Sequence, residues 1–330
     1  MNFTRFPAVG ATLAGIAVAV APAHAQQTWQ PERAIEFVVP ASPGGQNDLT
    51  MRNMQRVLQN LKLVEQPISV NNKGGGGGAL AWVYLNQHAG DPHYLSISTV
   101  NMLSNHIVGA SPLNYTDFTP LGHLIHSYLG FAVRPDSSIA NAKDLLERLK
   151  KDPRALSIAV GTSLGNTSHI AMSQAAKSAG VDPRKLKTVV FKSNGEALTA
   201  FFGGHVDVII SGLPNLVKHA QSKTLRLVAI TAPERLGGVL ADVPTWREVG
   251  PNVVVSGWRG ALGAKGLTPA QTAYWESTIA KLVDSDAWGQ ELAKDFATRT
   301  RMTAAENREF LAREYKSYLV TLGELGMAKK

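Results

Sequence analysis

Between residues 35 and 255 short β-rich runs alternate with segments of helical spacing, and this alternation limits the fold more than any other feature of the sequence. Strand candidates fall at 35–39, 68–70, 94–99, 129–133, 156–160, 188–191, 206–210, 225–230 and 253–256. Helical spacing marks 49–61, 78–88, 142–151, 169–178 and 195–202. A strand, a helix and a second strand in the same direction make the crossover unit of a parallel sheet covered by helices. The expectation is therefore an α/β chain with parallel sheets, and nine strand runs fit two sheets better than one. After Trp258 the pattern turns to helices alone. Thr268-Pro269-Ala270-Gln271 and Thr303-Ala304-Ala305-Glu306 are capping boxes, opening helices that run to about Val283 and to Gly323.

The N-terminus stands apart from this pattern. Arg5 is followed by an uncharged apolar run over 11–21 and then by Ala23-His24-Ala25, the small-x-small pattern that signal peptidase reads. The run is much shorter than the ~20 residues that span a bilayer. The expectation is a cleavable signal peptide, residues 1–25, with the mature chain free in the periplasm. No cysteine occurs anywhere, which removes thiolate nucleophiles, disulfides, iron–sulfur clusters and a lipid anchor. Lys and Arg total 33 against 25 Asp and Glu, a net charge of +8. These charges are scattered. The one tight cluster, Arg148-Leu149-Lys150-Lys151, reads as the solvated face of a helix rather than a nucleic-acid site.

Three turns each follow a strand and open a helix, where unpaired N–H groups and the positive dipole end favour an anion. The first, Pro40 to Asp48, has Gly44 and Gly45 for close backbone approach and Asn47 or Asp48 as a cap. The second, Asn71 to Ala79, satisfies G-x-G-x-x-A through five consecutive glycines. It lacks the acidic residue ~20 positions on that holds a ribose, so close packing near a site is the better reading. The third, Gly161-Thr162-Ser163-Leu164-Gly165-Asn166-Thr167-Ser168-His169, contains G-x-S-x-G in the context of a hydrolase nucleophile. No histidine follows His219, whereas an α/β-hydrolase needs one near its C-terminus. An anion cradle of hydroxyls and amides is favoured, with a secreted serine hydrolase using Ser163 as the alternative.

Other candidates carry less. His123 and His126 lie in a strand-like run, and no carboxylate completes a metal set. Asp207 reads as a structural hydrogen-bonding group near a strand start. Trp258 either lines a cleft or fills the core.

Taken in order, several segments resemble the substrate-binding proteins of tripartite tricarboxylate transporters, the family that includes the Bordetella uptake gene products. They are Val39-Pro40 leading to Pro43-Gly44-Gly45 and Asp48, then Asn72-Lys73, then Ser111-Pro112-Leu113-Asn114-Tyr115-Thr116-Asp117-Phe118-Thr119-Pro120. Gly195-Glu196-Ala197-Leu198, Gly203-Gly204-His205-Val206-Asp207, Asp242-Val243-Pro244-Thr245 and Gly257-Trp258-Arg259-Gly260 complete the set.

The resemblance implies a two-domain, periplasmic-binding-protein-like (type II) α/β fold with a ligand cleft between the domains. Residues 26–128 and 256–330 would form the first domain and 129–255 the second. It also implies a periplasmic, monomeric binding protein without catalysis, cofactor or metal, which hands a small carboxylate to a membrane permease. Ser42, Gly44, Gly45, Asn47, Asp48, Thr99 and Asn101 would form one wall of the site. Thr162, Ser163, Leu164, Gly165, Asn166, Thr167 and Ser168 would form the other, with Ser211 and Trp258 nearby. Ser211 stands where many members have aspartate, which should favour a more anionic ligand. On this view the anion sits on helix N-termini and needs no buried Lys or Arg.

Overall fold

Ile35, Phe37, Val38 and Val39 are completely buried in the first strand, the near-continuous apolar pattern of a strand covered by helices on both faces. The computed structural model describes residues 1–3, 29–161, 164–191 and 193–329, so the expected signal peptide lies almost wholly outside the described residues. In chain order the elements are β1 Ile35–Val39, α1 Gln46–Asn60, β2 Ile68–Asn72, α2 Ala79–Asn86, β3 Tyr94–Thr99, α3 Val100–Ile107 and β4 Thr119–Val133. Then come α4 Ala142–Lys151, β5 Ser157–Gly161, α5 Thr167–Ser178, β6 Lys187–Phe191, α6 Asn194–Phe202, β7 Val208–Gly212, α7 Leu213–Gln221, β8 Arg226–Ile230 and α8 Trp246–Val249. The chain closes with β9 Ser256–Gly263, α9 Pro269–Asp284, α10 Asp286–Lys294, β10 Ala297–Arg299 and α11 Ala304–Glu324.

Two parallel groups form as the alternation requires, β2-β1-β3 and β7-β5-β6. They are not separate sheets. β9 pairs antiparallel with β3 and β4, and β4 pairs antiparallel with β7 and β8, so the strands form one sheet in the order β2-β1-β3-β9-β4-β7-β5-β6. At 15 residues β4 exceeds the usual strand length of 3–10 and can serve both groups. Up to Tyr128 it pairs with β9, and from Leu129 with β7 and β8. Register shifts near Gly122, Leu124 and Phe131 bend it along the way.

The tail departs from the expectation of helices alone. The strand expected at 253–256 lies instead at Ser256–Gly263 and carries Trp258 inside it, and β10 adds a short strand on β4. Gly257, Gly260 and Gly263 disguise β9 as a loop. A Cβ on Gly260 would lie 2.8 Å from Ser98 Oγ and 3.1 Å from Gly122 O, so the glycine there answers to close packing rather than to a turn. Both capping boxes form: Thr268 N–H donates to Gln271 Oε1 (2.8 Å) and Thr303 N–H to Glu306 Oε2 (2.8 Å).

Each half has its own apolar core, one around Phe37, Met51, Met54, Trp275 and Trp288, the other around Phe131, Ile158, Ile170 and Trp246. Truncating such a fully buried tryptophan to alanine costs about 3–5 kcal/mol. Leu311, Tyr318 and Leu322 of α11 pack into the second core together with Val100 and Leu103 of α3, so the last helix clamps elements of both halves. The basic cluster of α4 is a solvated face, with Leu145, Leu146 and Leu149 buried opposite.

Candidate ligand-binding site

Ligand sites of α/β sheets lie beyond the carboxyl ends of the strands. Five strands here lead, directly or through a short turn, into helices, and those helix starts surround one cavity of about 190 Å³ between the two halves. Gln46 and Asn47 open α1; Thr99 caps α3, followed by Val100 and Asn101; Asn166 caps α5, followed by Thr167 and Ser168. Asn194 is the first residue of α6, and Gly212 is the cap of α7. Ser127 and Leu129 of β4 and Gly257, Trp258 and Arg259 of β9 complete the lining.

The chemistry of this lining is one-sided. None of its residues is acidic. α1, α3 and α7 begin without a side-chain cap hydrogen bond, which leaves the first N–H groups of α1 and α3 uncapped at the cavity, whereas Pro214 at the second position of α7 removes one donor there. α5 and α6 are capped internally: Asn166 Oδ1 accepts from His169 N–H (2.9 Å), and Ser193 Oγ accepts from Glu196 N–H (3.1 Å). Asn166 Nδ2 also donates to Gly161 O, tying the start of α5 to the end of β5. Gly161 leaves room for α6, since a Cβ there would lie 3.0 Å from Asn194 N and collide with its side chain.

Of the residues proposed from sequence, Asn47, Thr99, Asn101, Asn166, Thr167, Ser168 and Trp258 come together on the cavity. Ser42, Gly44, Gly45 and Asp48 do not line it. They build the turn beneath α1: Gly44, at φ +77°, donates its N–H to Asp48 Oδ2 (2.8 Å), and Ser42 packs where a Cβ on Gly74 would clash. Burial pushes the Asp48 carboxyl up. Arg52, the Gly44 N–H and Asn72 outweigh it and hold the group below the usual carboxylate range. Leu164 is exposed, and Gly165 turns toward Leu322 and Met327 at the end of α11. Ser211 is buried beside the cavity with its Oγ accepting from Asn215 Nδ2 (3.0 Å). Thr162 and Ser163 lie outside the described residues. The second glycine-rich turn packs closely on the first turn and on α2: a Cβ on Gly78 would lie 2.9 Å from both Pro40 and Trp82.

Over residues 51–325 the chain matches the profile of the tripartite tricarboxylate transporter family receptor. It belongs to that family. BugT of Bordetella pertussis is 27% identical, with all of both chains covered. The R. palustris protein Rpa4515 with adipate superposes with a TM-score of 0.79 at 22% identity, covering 90% of this chain and 99% of that one. MatC of Rhodopseudomonas palustris with bound malate gives 0.73 at 23% identity, covering 88% and 99%. The family is one of periplasmic binding proteins, and this receptor has their α/β fold.

The receptor is a binding protein, not a hydrolase. The groups a triad would need are otherwise engaged. Asp207 accepts from Ser157 N–H (2.8 Å) and Oγ (2.6 Å) at the start of β5, a strand's length, about 13 Å, from the G-x-S-x-G turn at its other end. His219 meets Thr224, and His169 Nδ1 accepts from Gly165 N–H (2.9 Å). Among the described residues no cluster of metal-ligating side chains occurs.

Sequence reasoning missed Gln46, Val100, Ser127, Leu129, Asn194, Gly212, Gly257 and Arg259. The last corrects an expectation, because the receptor does place a buried arginine at its site: Arg259 is 7% exposed and lines the cavity. A lone charge in the otherwise apolar stretch 253–264 was the signal available for it.

Proposed function

We propose that the receptor captures a small di- or tricarboxylate in this cavity and delivers it to the membrane permease of a tripartite tricarboxylate transporter. The observation that carries the reading is the convergence of five helix N-termini on a lining without a carboxylate. Each terminus presents roughly half a positive charge, and the uncapped starts of α1 and α3 add unpaired N–H donors. The malate and adipate bound by two proteins of the same fold support acids of this size.

In this reading residues 26–128 with 256–330 and residues 129–255 act as two lobes that close over the ligand, hinging at the partner switch in β4 and at the start of β9. Closure completes the donor shell and creates the surface the permease meets. The chain is secreted through cleavage after Ala25 and acts in the periplasm as a monomer, since its walls both come from one chain. Isothermal titration of residues 26–330 with mono-, di- and tricarboxylates tests the reading. Saturable binding with the acid recovered unchanged is the expected result; turnover, or tighter binding of cationic or neutral solutes, would refute it.

A further inference from the structure

Among the residues that line the cavity Arg259 carries the one fixed charge. It sits in β9 opposite Thr99 of β3 and Ile125 of β4, at the seam where the uncapped starts of α1 and α3 meet. Its Nε donates to Asn47 Oδ1 (2.9 Å) and an Nη2 hydrogen to Gln46 Oε1 (3.1 Å). Both acceptors are neutral amides from the first turn of α1. They fix the plane of the guanidinium without neutralising it, and its other donors have no protein acceptor among the described residues. No carboxylate among the described residues lies within ion-pair distance. Asp295 lines a second, smaller cavity together with Arg259 and Gln46 and acts on the guanidinium from beyond ion-pair distance, and burial holds the guanidinium pKa down to about 10, still charged at neutral pH. A buried cation that the protein does not pair is costly. Its cost falls when an anion enters the cavity.

Backbone N–H groups read one carboxylate without reading what it is attached to. A guanidinium adds a second, geometrically fixed point of recognition, because its fork matches a carboxylate edge. We propose that Arg259 is the selectivity residue of this site, taking a second carboxylate of the ligand while the first rests on the helix N-termini of the facing wall. The inference rests on the carboxylate reading above and adds to it a residue and a rule: two acid groups are required.

The test pairs each diacid with its half-ester, adipate with monomethyl adipate and succinate with monomethyl succinate, titrated into the wild type, Arg259→Gln and Arg259→Lys. The wild type should bind one of the diacids at least about 10-fold tighter than its half-ester. Arg259→Gln should weaken that diacid by on the order of 10- to 100-fold, the worth of a charged hydrogen-bonded contact, and leave the half-ester within about 3-fold. Arg259→Lys should fall between, keeping the charge and losing the fork. Retained half-ester binding shows that the variant is folded. Equal weakening of diacid and half-ester, or of neither, would overturn the proposal and make Arg259 structural. A wild type that does not distinguish diacid from half-ester would overturn it while leaving the carboxylate reading intact. No binding of any of the four acids would overturn the proposal, and the carboxylate reading falls with it only if malate and citrate fail to bind as well.

Discussion

The two walls of the cavity are built from the same device and differ in charge. On the first, α1 and α3 start without side-chain caps and Arg259 stands between them. On the second, α5 and α6 are capped by Asn166 and Ser193, α7 starts uncapped at Gly212, and the lining carries no charge. Charge attracts over several ångströms, whereas hydrogen bonds act only at contact. On the proposed reading this difference would give capture to the first wall and confirmation to the second. The turn beneath α1 suits the first task, because Asp48, Arg52 and Asn72 brace it in a closed network. The second wall needs only to arrive with its donors aligned.

The strongest way to break this division is to charge the neutral wall. Thr167→Asp places a carboxylate at the first position of α5, where it suits the helix by about 0.3–1 kcal/mol. It should weaken every carboxylate ligand by at least ~100-fold, as like charges brought together cost several kcal/mol. Calorimetry beside a thermal melt separates the two effects, and an unchanged affinity would remove α5 from the site.

The joint between the walls should respond to acid. His123 and His126 stack 4.6 Å apart on β4, and burial pushes their pKa values down to about 4 and about 3. An unfolded chain takes up these protons below ~6.5 while the folded one resists. Stability is therefore complete above pH 6.5 and falls as the pH drops toward 4, by roughly 3 kcal/mol for His123 alone. Urea titrations across that range should show the slope, and His123→Gln should reduce it to the part that His126 contributes.

Asn47→Asp sharpens the comparison from the charged side. It hands Arg259 an internal carboxylate, which should stabilise the ligand-free protein by about 1–2 kcal/mol and weaken a diacid about 10-fold. A stability gain with undiminished affinity would mean that the guanidinium does not meet the ligand. The smallest effect is expected at Leu164, which is 47% exposed and outside the lining. Leu164→Ala should change affinity less than about 2-fold, and a 10-fold loss would extend the second wall to its rim.

Much of this arrangement could be read from residues alone, and the exceptions share a cause. β1, β3 and α4 end where their apolar runs end, and the two capping boxes mark helix starts to the residue. The turns after β1 and β5 announced themselves through glycine and hydroxyl residues. α3 did not, because β3 passes into it without a breaker, and α7 carried only Gly212 and Pro214 as its signal beyond a strand expected to end at 210, so the site contributions of Val100 and Gly212 went with them. β9 was hidden by glycines whose reason is the nearness of Ser98, Gly122 and Leu267, a fact of packing across the sheet. Arg259 was hidden in turn, since its burial and its amide partners Gln46 and Asn47 lie more than two hundred residues away in the chain.

The central claim is that the cavity holds an anion on converging helix N-termini, and a thermal-shift comparison of adipate, citrate and malate with their full amides tests it most directly. A bound acid at a hundred times its Kd should add about 2.7 kcal/mol, a rise of several degrees, while its uncharged amide leaves the melting temperature where it was. Equal shifts with acid and amide, or a shift with the amide alone, would contradict the account.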